Sequence, residues 1–224
     1  MNSTLLTGSL LLLTLATTGC SSKLTQPEEY SGFLNDYSQL AEVEAVSGEP
    51  VLRWVDPNID VKKYTSLYIE PSVIFPAPKP TEVISANTLL SITQYYDQTL
   101  KQQLGKSMTL TMAPGPNTIV MRPVITAVSS KTETLKPYEV IPIALIVAGV
   151  STATGIRDQE TTIATEAVFI DGKTNQVVAK VVRKGTGVPL ENKKQKMSVD
   201  DTKALLDSWA VDFNQAYVNL KAAK

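Results

Sequence analysis

Cys20 is the residue in this chain whose surroundings most directly announce a chemistry: it is the only cysteine, and it closes the apolar stretch LLLLTLATTGCSS, Leu10 to Ser22. One thiol cannot make an internal disulfide, a CxxC redox pair or a cysteine-based zinc site. The 224 residues contain no histidine, which removes Ser-His-Asp and Cys-His nucleophile systems, imidazole acid–base catalysis and His-ligated metals. Together these counts exclude most familiar enzyme machinery.

The apolar run from Leu5 to Thr18 is interrupted only by Thr, Ser and Gly, and no charged side chain precedes Lys23. It is shorter than the roughly 20 apolar residues of a membrane-spanning helix and suits the core of a secretory signal. The junction ATTGC resembles the bacterial lipoprotein signal, which is cut before the cysteine; the thiol then receives a diacylglyceryl group and the new amine is acylated. On that resemblance residues 1–19 are a signal peptide, 20–29 a lipidated tether and 30–224 a periplasmic domain. Ser21 stands where an aspartate would favour inner-membrane retention, which implies the outer membrane. Two or three acyl chains, at about 0.8 kcal/mol per buried methylene, make such an anchor close to permanent. The lipid on Cys20 is the one attached group expected; no resident cofactor or metal is.

Other chemistry-bearing patterns weaken on their context. Ala167 to Thr174, AVFIDGKT, satisfies a loose phosphate-loop expression. That loop works by wrapping phosphate in backbone N–H groups ahead of a helix. Here Val168, Phe169 and Ile170 read as strand, Asp171 brings a negative charge, and NQVVAKVV after it reads as strand again. A hairpin turn is expected, and no nucleotide. Glu28-Glu29, Glu42/Glu44 and Asp200-Asp201 read as tether, helix face and helix N-terminus. Glu166 and Asp171 are the nearest pair for two-acid chemistry, but residues five apart in an ideal strand face opposite sides. Lys193, Lys194 and Lys196 read as a solvated basic loop.

The elements that would position these groups follow from periodicity. Phe33, Leu34, Tyr37 and Leu40 fall at helical spacing and mark a short amphipathic segment, either a first helix or loop pinned to the domain or a partner-binding epitope. Tyr64–Pro71 reads as a strand ended by proline, and the proline-rich VIFPAPKPTEV as a loop. Leu89, Ile92, Tyr96, Leu100 and Leu104 share one face of a helix over Ser85–Leu104, ended by Gly105. Two strands flank Pro114-Gly115-Pro116, with alternation clearest in the first. The β-branched runs on either side of Asp171–Asn175 predict an antiparallel hairpin. Ser198 and Asp201 open a terminal helix whose apolar stripe is Leu205, Leu206, Trp209, Phe213, Tyr217 and Leu220. The expected fold is α+β: a single two-layer domain with a mixed or antiparallel sheet of about five strands and two long amphipathic helices on one face.

One segment remains unabsorbed. Val140 to Gly155, VIPIALIVAGVSTATG, is the most apolar stretch after the signal, too short to span a bilayer and broken by Pro142. It reads as a buried helix or core crossover; alternatively Val140, Ile141, Ile143, Leu145, Ile146 and Val147 form an interaction surface.

The order of SGFLNDYSQL, RWVDPNIDVKKYTSLYIEP, TEAVFIDGKTNQVVAKVVRKGTG and DSWAVDFNQ behind a lipoprotein junction is similar to bacterial envelope lipoproteins of the domain of unknown function 3313 family. Gly32 to Ser38 is the most specific part. The resemblance implies envelope location, a lipid anchor and one compact domain, and brings no activity. With a net charge of −1, nucleic acid is not an expected partner. The leading expectation is a non-enzymatic accessory of an envelope or transport complex, anchored to the membrane by its lipid and binding another envelope protein or forming a homo-oligomer. The alternatives are a carrier or sensor of a small apolar ligand or lipid, held between sheet and helices, and a carboxylate-based enzyme.

Overall fold

The computed structural model describes residues 24–78, 80–81, 84–126, 146–148, 160–191 and 195–223. Nine strands among them form one mixed sheet: β1 (Ala41–Glu44), β2 (Pro50–Val55), β3 (Ser66–Ile69), β4 (Val73–Ile74), β5 (Thr109–Leu110), β6 (Thr118–Thr126), β7 (Ile146–Ala148), β8 (Glu160–Asp171) and β9 (Val177–Thr186). Helix α1 (Ala86–Leu104) lies between β4 and β5, and α2 (Asp200–Ala223) follows β9. The spatial order is β1-β2-β9-β8-β6-β3-β5, with β4 also on β6 and β7 on β8. β3 runs parallel to β5 and β6, and β4 parallel to β6; the remaining pairs are antiparallel.

The α+β class and the two helices match expectation, whereas a sheet of about five strands undercounts it. β4, β5 and β7 are two or three residues long, too short to show a period. Alternation around Thr109 yields only the two-residue β5, while the proline-containing β6 is the long strand. Pro123 is tolerated there because its register falls between Met121, opposite the end of β3, and Val124, opposite the start of β4. A missing backbone donor costs least where a ladder is interrupted.

One face of the sheet carries both helices. Along β8, Ile163, Ala167 and Phe169 join the main core, as do Val181 from β9 and Met121 and Ile125 from β6. They meet Leu89, Ile92, Tyr96, Leu100 and Leu104 of α1 and Leu206, Trp209, Phe213 and Tyr217 of α2, the stripes expected from 3.6-residue spacing. Ser85 caps α1 by accepting the Thr88 N–H at 3.0 Å. Leu100 is fully buried, so Leu100→Ala would cost about 2–5 kcal/mol. α2 crosses β9 at Gly185, where a Cβ would lie 2.7 Å from Leu205 and 3.0 Å from Trp209.

The other face is covered by the chain's own N-terminal segment. Here the amphipathic segment of Phe33, Leu34, Tyr37 and Leu40 is a pinned loop and not a helix: a 3-10 turn at Pro27–Glu29 is followed by irregular turns up to β1. Gly32 and Asn35 hold positive φ of 86° and 58°, which a right-handed helix forbids. The segment forms a strap, and Leu34 is buried beneath it along with Val120, Val124 and Val182 from the sheet.

Candidate functional site

The strap is fastened by charge and hydroxyl chemistry. Glu166, on the β8 face opposite Ala167, is 1% exposed. Its Oε1 accepts the Ser31 N–H at 3.1 Å and its Oε2 the Tyr37 hydroxyl at 2.7 Å. The Tyr37 oxygen in turn accepts the Gly32 N–H at 2.9 Å, and its ring stacks on Tyr30 with centroids 4.1 Å apart. Lys180 donates to the Asp36 carbonyl at 2.7 Å and Lys184 to Glu29 at 2.6 Å. Burial pushes the Glu166 carboxyl above its ordinary value, against the pull of its hydrogen bonds; burial, with Glu166 beside it, pushes Tyr37 to about 12. Gly32–Ser38 is therefore a structural clasp, with the Tyr37 hydroxyl and the Asp36 carbonyl turned inward onto the sheet.

Asp171 is consumed in the same manner at the far end of β8. Its Oδ2 accepts from Lys63 Nζ and from the Tyr64 hydroxyl, both at 2.8 Å. Its Oδ1 accepts the N–H groups of Lys173 and Thr174 at 2.8 and 2.9 Å. The Lys63 ammonium is the largest of the influences that hold this carboxyl well below its ordinary value. The N–H groups a phosphate loop would offer are already taken, and β9 rather than a helix follows. Glu166 and Asp171 answer to separate partners, about 16 Å apart at the rise of a strand, so they do not converge on a substrate. Among the described residues no cluster of His, Cys, Asp or Glu could hold a metal.

A third charged group lies under the helices. Arg183 of β9 donates to Asp212 of α2 at 2.7 Å, both nearly inaccessible. Ser47, from the β1–β2 turn, adds its N–H at 2.9 Å and its hydroxyl at 2.7 Å to the same carboxylate. The Arg183 guanidinium also sits 5.3 Å from the Phe213 ring. Next to it is Arg53 on β2, whose guanidinium is disfavoured first by burial and then by the Arg183 charge. Among the described residues Arg53 has no hydrogen-bonding or ion-pair partner.

Arg53 borders an apolar cavity of about 90 Å³ between the sheet and the C-terminal half of α2. Its floor comes from Val55, Phe169 and Ala179, its roof from Phe213, Ala216 and Tyr217. The space exists because two alanines, Ala179 and Ala216, line it from opposite sides.

Of the residues singled out from sequence, Cys20, Val140, Ile141, Ile143 and Leu145 lie outside the described residues, as do Lys193 and Lys194. Ile146 and Val147 belong to β7, paired with Thr162 and Thr161 of β8, so a helix through that part of the apolar segment is excluded. Sequence reasoning missed Arg53 and the cavity. The signal was present in one respect: Val51, Arg53 and Val55 alternate, which places a charge at a core-facing position of a strand.

Two Escherichia coli proteins, from strain K12 and from O157:H7, are each named "Uncharacterized lipoprotein YdcL" and are 42% identical to this chain over 207 residues, covering 92% of it and 93% of themselves. This relationship supports the lipoprotein character read at the Cys20 junction. Solved structures give more distant likenesses. Protein XCC0632 from Xanthomonas campestris, of family DUF330, is 10% identical with a TM-score of 0.43, over 76% of this chain and 95% of its own. A PelC dodecamer from Paraburkholderia phytofirmans is 10% identical with a TM-score of 0.39, over 73% and 95%. Likenesses of this size assign no role. The sequence pattern described as "Protein of unknown function (DUF3313)" matches residues 29–213, from the strap's first anchoring residue, Glu29, to the Phe213 that roofs the cavity, and the chain belongs to that family.

Proposed function

We propose that this protein is a non-enzymatic lipoprotein, anchored through Cys20 to the periplasmic face of the outer membrane, whose domain carries or senses a small apolar ligand. The observation that supports the reading is the apolar cavity between β9 and α2. Domain interiors are close-packed, so an apolar space between sheet and helix is a place where a small apolar group can lodge. The carboxylates that could do acid–base work are engaged in internal fastening, which speaks for binding over catalysis. The test has two parts. Intact mass of protein purified from outer-membrane fractions should show loss of residues 1–19 and gain of acyl chains, both absent in Cys20→Ala; an unmodified full-length chain would refute the anchor. Organic extraction of the same preparation should release a near-stoichiometric apolar molecule, and an empty extract would count against the carrier reading.

The accessory reading, in which the domain binds an envelope protein or a second copy, is favoured by a different feature. Val211 and Val218 of α2 are 46% and 37% exposed and lie two turns apart on one helix face. Cross-linking in native membranes tests it: a protein that remains monomeric and captures no neighbour would exclude it.

A further inference from the structure

We infer that the cavity under α2 is the seat of an anionic amphiphile, with the acid head on the Arg53 guanidinium and a short apolar tail in the space between Ala179 and Ala216. This rests on the apolar-ligand reading above and names the ligand's chemistry.

The charge count around the cavity carries the argument. Two guanidinium groups, Arg53 and Arg183, lie together, and one carboxylate, Asp212, answers them. That carboxylate already accepts from Arg183 and from both donors of Ser47. Among the described residues no side chain pairs with the half-buried Arg53 guanidinium, and the cavity lining is almost wholly apolar, so Arg53 meets the space along its methylenes with the charge at the rim. A half-buried cation gains more from a counter-ion than a fully exposed one does. A carboxylate or phosphate on an apolar chain suits both the charge and the space, since guanidinium pairs with either in bidentate geometry. The volume limits the tail. A dry cavity of roughly 150 Å³ takes a benzene, so about 90 Å³ accepts the end of a short chain, the rest of it lying along the open mouth.

The experiment uses the full lipidated chain in phosphatidylcholine nanodiscs, with empty nanodiscs as background. Octanoate is titrated against it calorimetrically, with octanamide as the uncharged comparator and octyl phosphate as the second head group. Octanoate should bind saturably and about tenfold more tightly than octanamide, the difference expected of one charge-assisted contact. Arg53→Gln should abolish that preference, and Ala216→Leu should remove binding of every probe. Ala179→Leu repeats the block from the sheet side, so a folding defect in one variant does not decide the result. Octyl phosphate binding more tightly than octanoate would identify a phosphate head, and the reverse a carboxylate; both support the site. Equal binding of octanoate and octanamide, or a preference that survives Arg53→Gln, would overturn the role of Arg53 and leave the apolar-ligand reading standing. Binding of no probe by the wild-type chain would overturn both.

Discussion

On the back of the sheet, three sheet residues and a strap meet with their polar groups matched: Glu166 takes Ser31 and Tyr37, Lys180 takes Asp36, and Lys184 takes Glu29. On the front, two helices pack on the same strands with apolar stripes, yet the Arg53 guanidinium has no side-chain partner among the described residues and a small apolar space lies beside it. Alternation along β8 and β9 divides the faces residue by residue, since Ala167 and Val181 look to the helices while Glu166 and Lys180 look to the strap. The closed face uses the family's most specific residues as a fastening, and the open face keeps the unsatisfied chemistry.

Removing the front-face counter-ion should have the largest effect. Asp212→Ala strands Arg183 in a nearly inaccessible position and frees both donors of Ser47, so urea unfolding should show a loss of about 3–5 kcal/mol. A loss under 1 kcal/mol would mean that water reaches the pair and that the two faces are less different than described. Tyr37→Phe comes next. It deletes the hydroxyl that donates to Glu166 and accepts from Gly32, at a cost of about 1.5–3 kcal/mol for a bond to a charged partner. Because the strap is a separate layer, limited proteolysis should cut near residues 32–36 before the domain unfolds. Simultaneous loss of strap and helices would show the layers to be one cooperative unit.

The two acids of β8 should respond to pH with opposite signs. The folded-state pKa of Asp171 is depressed, so its contribution is present above its unfolded value, near 3.9, and is lost as pH falls below it. Asp171→Asn should therefore be less stable than wild type at neutral pH, and the gap should close on acidification. The folded-state pKa of Glu166 is raised, so wild type should gain stability relative to Glu166→Gln as pH falls through that value toward about 4.3, and stay level outside the window. Parallel denaturation curves from pH 3 to 7 check both signs; slopes of the same sign would contradict the assigned environments.

The helices and the β8–β9 hairpin were legible because each repeats its own period over many residues. The strap was legible as an amphipathic segment pinned to the domain but not in its conformation: Phe33, Leu34, Tyr37 and Leu40 coincide with helical spacing, while the path is decided by positive φ at Gly32 and Asn35 and by a glutamate more than a hundred residues away. Short strands such as β4 and β5 exist only because β6 and β3 offer them a ladder. Glu42 and Glu44, expected on a helix face, lie on β1, and Glu166 and Asp171 are kept apart by their partners as much as by strand parity. A cavity has no residues of its own in sequence. It arises from Ala179 and Ala216 being small at the same place in space, a relation that appears only once α2 is laid over β9.

The smallest predicted effect bears most directly on the contrast between the faces. Ala216→Leu puts a branched side chain into the space under α2. If that space has room for the added methyl groups, they bury apolar surface that the wild-type chain leaves open. About 1 kcal/mol of gain is expected, read as a rise in Tm of about 2–4 °C for a domain of this size. A close-packed interior would respond in the opposite direction, losing about 1–3 kcal/mol to overpacking. A stabilised variant that no longer binds octanoate would mean that the wild-type chain gives up stability to keep this volume open. A destabilised one would mean that Phe213 and Tyr217 already close over it, and the helix-covered face would then be as fully sealed as the face beneath the strap.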